Sequence, residues 1–249
     1  MSKVIVITGA GSGLGRALGE RFAADGEHVV LLSRTASKIE KLAARLGERA
    51  MAIPCDVASP DDVRAAFAKI AERHAHIDVL INNAALLTPS TLAEATDEHI
   101  QSFIATNLTG AIFCARSALA LMRPGGQILN VSSEAVEVPF PHLFAYRSCK
   151  AGLERFMLSM SRELEPLGLR ATIVRAGQMM GEQVDRIFDV DTKVYERFME
   201  AANKDYALKL GSRPSTSYNS ATEVFRFLVD QPPDMKVLSI WFDARALDE

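Results

Sequence analysis

Tyr146 and Lys150 stand four residues apart in Tyr-Arg-Ser-Cys-Lys, and Ser133 lies thirteen residues before the tyrosine. Residues four apart on a helix share a face, so the Lys150 ammonium can lie near the Tyr146 phenol. A free phenol has a pKa of about 10 and is almost wholly protonated at neutral pH. A fixed cation beside it favours the phenolate and lowers that pKa. The group is therefore a candidate acid/base, with a serine hydroxyl to position an oxygen. On spacing alone the pair is equally a Tyr and a Lys on a solvated helix face, so the surrounding chain has to decide.

The elements that would position these residues alternate along the chain. Short apolar runs at Val4–Ile7, His28–Leu32, Ala50–Pro54, Val79–Ile81, Gln127–Val131, Thr172–Val174 and Val237–Trp241 read as seven strands. They lack polar alternation, which is the pattern of strands buried on both faces. Helical periodicity falls between them, with Ser59-Pro60 as an N-cap and first-turn proline. Longer helices are predicted over Asp97–Met122 and Leu143–Leu167, and a last one over Ala221–Val229 behind a capping box, Ser220-Ala-Thr-Glu223. The fold class is α/β: a Rossmann-like, doubly wound, mostly parallel seven-stranded sheet with helices on both faces. The 249 residues, 48% hydrophobic and 24% charged, suit one domain over residues 1–249. Residues 179–213, after the sixth strand, read as a substrate lid, because such sheets bind ligands at the carboxyl ends of their strands.

Thr8-Gly-Ala-Gly-Ser-Gly-Leu-Gly15 follows the first strand and opens the first helix. In that context Gly9, Ser12, Gly13, Leu14 and Gly15 are candidate dinucleotide contacts: glycines let the backbone approach a pyrophosphate, and the helix start offers N–H groups. At the end of the second strand stand Ser33 and Arg34 where an acid would mark NAD(H). Serine removes repulsion from a 2′-phosphate and arginine can pair with it, so NADP(H) is favoured over NAD(H). The alternative for Arg34 is a solvated loop residue. Asn82-Asn83-Ala84-Ala85 closes the fourth strand with small residues suited to a bound cofactor.

Together these motifs resemble the short-chain dehydrogenase/reductase family, in its single-domain branch. Thr8-Gly-x-x-x-Gly-x-Gly15, Asp56, Asn82-Asn-Ala84, Asn107, Ser133 and Tyr146-x-x-x-Lys150 occur in the family's order and spacing, from Lys3 to about Phe242. The resemblance implies Tyr146 as general acid/base and Ser133 as the donor on the substrate oxygen. It implies Lys150 as the residue that binds the nicotinamide ribose and depresses the tyrosine pKa, and Asn107 as the holder, through its backbone, of a water in a proton relay. Asp56, with the main chain of Val57, would meet the adenine. Asn83 and Ala84 would line the cofactor.

Departures from the family pattern fall after the sixth strand. Ala176-Gly177-Gln178-Met179-Met180-Gly181 lacks the usual proline and a following threonine, so main-chain contact at Gly177 is retained while Gln178 or the lid has to replace the threonine. The ending Trp241-Phe-Asp-Ala244 also differs, which bears on tetramer packing.

The expected substrate is a mainly apolar small-molecule carbonyl or alcohol, walled by Leu87, Val136, Val138, Phe140 and Phe144 and by Met179, Met180, Phe188, Tyr195 and Phe198 from the lid; several of these could equally be core. Glu134 and His142 are the polar candidates beside it. The net charge of −3 carries no basic block for nucleic acid, and no run is long enough to span a membrane. Cys55, Cys114 and Cys149 read as free thiols of a cytoplasmic protein, without metal-ligand spacing. A homodimer or homotetramer is implied by the resemblance. The other function class in play is a nucleotide-binding sensor or interaction protein with little catalysis.

Overall fold

The first strand, β1 (Val4–Thr8), is buried along its whole length, as its unbroken apolar run requires. It leads through the glycine turn into α1 (Gly13–Ala24), then β2 (His28–Ser33), α2 (Ala36–Leu46), β3 (Ala50–Pro54) and α3 (Pro60–Arg73). Ser59 caps α3 as expected, its hydroxyl accepting from the Asp62 amide at 3.2 Å. There follow β4 (Ile77–Asn82), α4 (Asp97–Ile104), a π-helical turn (Ala105–Thr109), α5 (Gly110–Leu119), β5 (Met122–Ser133), a 3-10 turn (Glu134–Val136) and α6 (Phe144–Leu164). The chain then runs through β6 (Arg170–Ala176), β7 (Met179–Met180), α7 (Thr192–Lys204), β8 (Thr216–Ser217), α8 (Tyr218–Val229) and β9 (Ser239–Phe242). This computed structural model describes residues 2–180, 192–205, 208–210 and 212–245.

Seven strands form one parallel sheet in the order β3-β2-β1-β4-β5-β6-β9. The short pair β7–β8 stands apart and joins Met179–Met180, at the start of the segment expected as a lid, to Thr216–Ser217 just past its end. One apolar cluster includes Val6, Leu80, Phe67, Ile70 and Met157, and a second includes Ile5, Ile7, Phe22 and Phe225. Alternate residues of β1 thus serve opposite faces, and the sheet is covered on both. The strand order reverses between β1 and β4. Their carboxyl ends therefore open the crevice where doubly wound sheets bind nucleotides.

Two local expectations are corrected. The helix expected over Asp97–Met122 is broken by the π turn around Asn107, ends at Leu119, and yields Met122 to β5. The buried Asn107 amide is satisfied outside the helix, by the backbone of Leu86, and such insertions in a helix are typical of functional positions. The last helix begins at Tyr218 and its cap is Ser217, whose hydroxyl accepts from the Ser220 amide at 3.0 Å. Glu223 does not close a capping box; it pairs with Arg21 of α1. Among the described residues no helix is long and apolar enough to cross a membrane.

Candidate active site

The glycine turn is stitched to the end of β4. Thr8 Oγ1 accepts from the amides of Asn83 and Ala84 at 2.9 and 3.0 Å, and Asn83 Nδ2 donates to the Thr8 carbonyl at 3.0 Å. Gly9 has φ +68°, and a Cβ there would lie 2.8 Å from the Ala84 Cα. A Cβ on Gly15 would run into the Gly9 carbonyl and the Asn83 amide. The first turn of α1 has no side-chain cap from Ser12, which leaves the amides at its N-terminus directed at the crevice. The turn therefore fits a pyrophosphate held by backbone N–H groups of Ser12, Gly13, Leu14 and Gly15. Asn83 serves by bracing the turn, since its side-chain amide is spent on Thr8. Gly15→Ala is expected to abolish the rise in melting temperature that NADPH produces in the parent protein; a retained rise would show that this turn does not hold the cofactor.

At the edge of the crevice, Arg34 is exposed beyond β2. A residue the sequence reading missed stands beside it: the Lys38 stem packs against Gly11 together with the Ser33 hydroxyl. Its signal was available, for Lys38 follows Arg34 by four positions. Asp56 stabilises its own turn, its Oδ1 accepting from the Ala58 amide at 3.0 Å, and Val57 is buried against Gly110. Tyr218, also missed, lays its ring against Gly13 from the far end of the lid, a contact that only the fold creates.

Ser133, Tyr146 and Lys150 meet at the carboxyl end of β5. Tyr146 lies in the first turn of α6 and Lys150 in the second, and both are buried. Lys150 Nζ lies 5.6 Å from the centre of the Tyr146 ring and donates to the Val131 carbonyl at 2.6 Å. Burial pushes the Lys150 pKa down to about 8, against the opposing pull of Cys149 and Glu154. Burial pushes the Tyr146 phenol above its usual value; the Ser133 hydroxyl acts downward on it, and the Glu134 carboxylate acts upward. Burial of the phenolate is the largest of these influences, so the direction is opposite to the depression expected beside the lysine. Asn107 is buried close by, with Oδ1 accepting from the Leu86 amide at 2.7 Å and Nδ2 donating to its carbonyl at 2.9 Å. Only its backbone is left for a relay.

Behind the serine pair lies a polar cluster that sequence reading did not find. Ser132 donates to Glu154 Oε1 at 2.6 Å, and Arg175 of β6 grips the same carboxylate with Nε at 2.7 Å and Nη2 at 2.6 Å. Glu154 is one further turn along α6 from Lys150, so the face that carries Tyr146 and Lys150 continues into this partly buried ion pair.

Tyr146 belongs to an apolar cluster with Phe103, Ala135, Leu143 and Cys149, and Phe198 of α7 completes it from the lid. Leu87, Phe140 and Phe144 pack around this cluster. Met179 instead joins the core beneath α8, while Met180 and Tyr195 are exposed; Phe188 lies outside the described residues. His142 has φ 56° and uses its carbonyl to hold the Ser90 amide at 2.7 Å, so it bends the loop. Glu134 is buried and joined to Arg213, which also reaches Asp243 beyond β9. Asp243 in turn abuts Gly177. Gln178 Oε1 is buried and, among the described residues, lacks a hydrogen-bond partner, as suits an acceptor for a carboxamide.

The family model described as short chain dehydrogenase matches residues 3–189. An uncharacterised short-chain type dehydrogenase/reductase of Sinorhizobium fredii is 36% identical over 199 residues, 78% of this chain; the chain spans only 36% of that relative's length. A serine 3-dehydrogenase of Agrobacterium fabrum is 34% identical over 179 residues, covering 71% of this chain and 72% of the relative. Among solved structures, a short chain dehydrogenase of Burkholderia cenocepacia in complex with NADP superposes with a TM-score of 0.82 over 97% of this chain and 96% of the other, at 24% identity.

Proposed function

The chain belongs to the short-chain dehydrogenase/reductase family of NAD(P)-dependent oxidoreductases, and on that premise we propose that it interconverts a carbonyl and a secondary alcohol on a mainly apolar small molecule, with NADP(H). The observation that carries this reading is the convergence of Ser133 and Lys150 on Tyr146 at the carboxyl end of β5, with the tyrosine ring in an apolar cluster. The dinucleotide, when bound, supplies or accepts the hydride. The chain's own residues manage the oxygen. Ser133 donates a hydrogen bond to it, and Tyr146, protonated at neutral pH, delivers the proton as negative charge develops. Lys150 brings positive charge to the buried phenol, and the backbone at Asn107 is the proposed start of the water relay that returns a proton to it.

The glycine turn and α1 would hold the pyrophosphate, Asp56 and Val57 the adenine, and Gly177 with Gln178 the carboxamide. NADP(H) over NAD(H) is supported by Ser33 and Arg34 and by the nearby Lys38. The apolar wall of Leu87, Phe140, Phe144 and Phe198 supports an apolar substrate. Ile104 and Leu158, exposed on α4 and α6, suit pairing of these helices in a homodimer or homotetramer.

Loss of NADPH absorbance with a panel of ketones tests the reading. Turnover of apolar ketones is expected, and small polyols outperforming every one of them would overturn the substrate class. Tight NADPH binding with no turnover of any carbonyl would favour a nucleotide sensor, the reading to which only the altered segment after β6 lends weight. NADPH is expected to raise the melting temperature more than NADH does, and Arg34→Leu to weaken NADPH binding about tenfold or more. Equal effects of the two cofactors on the parent protein would remove the case for NADP(H).

A further inference from the structure

Beside the proposed acid/base, one cation serves two anions. Arg213 Nη2 contacts Glu134 Oε2 at 2.5 Å and also Asp243 Oδ2. Glu134 follows Ser133 directly and is 4% exposed, whereas Arg213 comes from the carboxyl end of the lid and Asp243 from beyond β9. Three segments that border the reaction site are thus tied at one guanidinium, and the tie carries an excess negative charge.

Among the described residues, the neighbouring cations Lys150, Arg175 and Arg147 each have a partner. Lys150 donates to the Val131 carbonyl behind the tyrosine, Arg175 is held by Glu154 and Glu137, and Arg147 Nε donates to the Ala135 carbonyl. An incoming carboxylate would approach Arg213 beside the two carboxylates that already share it, and like charges brought together in this way repel. An incoming ammonium meets the opposite situation, since carboxylate oxygens can accept from it with Arg213 still in place. Glu134 follows Ser133 directly in the chain, and although burial raises the pKa of its carboxyl, Arg213 opposes that rise and favours the carboxylate.

We propose that Glu134, held by Arg213 and Asp243, is a specificity residue that selects carbonyl substrates bearing a neutral or ammonium group beside the reacting carbon and rejects those bearing a carboxylate there. This rests on the carbonyl-reductase reading and narrows it. It would divide the labour of the site: the apolar wall takes the body of the substrate, and the triad decides the charge allowed next to the carbonyl.

The test uses acetophenone, α-aminoacetophenone and benzoylformate, which differ in the group beside one carbonyl. In the parent protein with NADPH, kcat/KM for benzoylformate is expected to fall about a hundredfold below that for acetophenone, as a carboxylate brought beside an excess negative charge implies. The aminoketone is expected to match or exceed acetophenone. In Glu134→Gln the ratio of benzoylformate to acetophenone should rise by about tenfold or more, and the advantage of the ammonium should vanish. Asp243→Asn, a change farther from the serine, should move both ratios the same way by less, and it serves if Glu134→Gln folds poorly. Benzoylformate preferred in the parent protein and lost in Arg213→Met would overturn the proposal by making Arg213 a carboxylate clamp. Ratios unchanged in both carboxamide variants would also overturn it, leaving the triad as a brace for the lid. If none of the ketones is reduced, the redox reading fails by itself. The melting shifts of the NADP+-loaded protein with the three compounds then still report the charge preference.

Discussion

Replacing Tyr146 with phenylalanine is expected to lower kcat for carbonyl reduction by about a hundred- to ten-thousandfold, the range associated with removing a positioned general acid. The substitution is nearly isosteric. The ring sits in an apolar cluster with Phe103, Leu143 and Phe198, so packing survives and only the hydroxyl is lost. The variant should keep most of the melting-temperature rise with NADPH, because the glycine turn that fits the pyrophosphate lies on another part of the crevice. A pH profile sharpens the test. Burial raises the Tyr146 pKa, so the phenol is in its donating form throughout the neutral range. Burial lowers that of Lys150 to about 8, so its charge is present below that value and lost as pH rises through it. Reduction by the parent protein should therefore decline above about pH 8, and Lys150→Met should be slow and lack that limb. Turnover by Tyr146→Phe equal to the parent's would rule out the tyrosine as the acid.

Glu154→Ala is expected to destabilise the fold by about 1–3 kcal/mol, the cost of leaving partly buried donors without one of their acceptors. The carboxylate is enclosed, and it takes hydrogen bonds from Ser132 and from two nitrogens of Arg175. Its removal leaves the Ser132 hydroxyl and two guanidinium nitrogens of Arg175 without that acceptor, while Glu137 still holds Arg175 Nη1 at 3.1 Å. For a chain of this size the melting temperature should fall by roughly 5 °C. Replacing both partners, Glu154→Leu with Arg175→Leu, should recover much of that loss, since no unpaired charge remains. The two effects separate cleanly in a double-mutant cycle. A melting temperature for Glu154→Ala within experimental error of the parent's would show that water satisfies Arg175 and that the pair is dispensable. A fall in kcat beyond the loss of folded protein would place Ser132, and through it the adjacent Ser133, under the control of this ion pair.

The parallel sheet and the nucleotide crevice were legible because their signals are local. An apolar strand followed by a glycine turn and a helix start carries its geometry within about fifteen residues, and Tyr146 and Lys150 are brought together by one helix turn. The π turn at Asn107 and the Ser217 cap were misread for a corresponding reason. In each, a periodic sequence continues through a point where a polar group finds a better partner: the Asn107 amide at Leu86, the Ser217 hydroxyl at Ser220. Met179 was assigned to the substrate wall because it is apolar and lies at the lid, yet pairing of β7 with β8 turns it into the core under α8.

The alternation of strands and helices, the glycine turn and the placing of Tyr146 and Lys150 on one helix face were determined by the sequence itself, since each depends on residues close together along the chain. The ion pairs around them were decided only by tertiary structure. Glu154 meets Arg175 because β6 lies beside β5 under α6, and Glu134 meets Arg213 and Asp243 because the lid returns to the end of the last strand. Burial then sets the chemistry that spacing could not: out of water, the phenol holds its proton more tightly and the lysine less, and a single excess carboxylate becomes a rule about which substrates can enter.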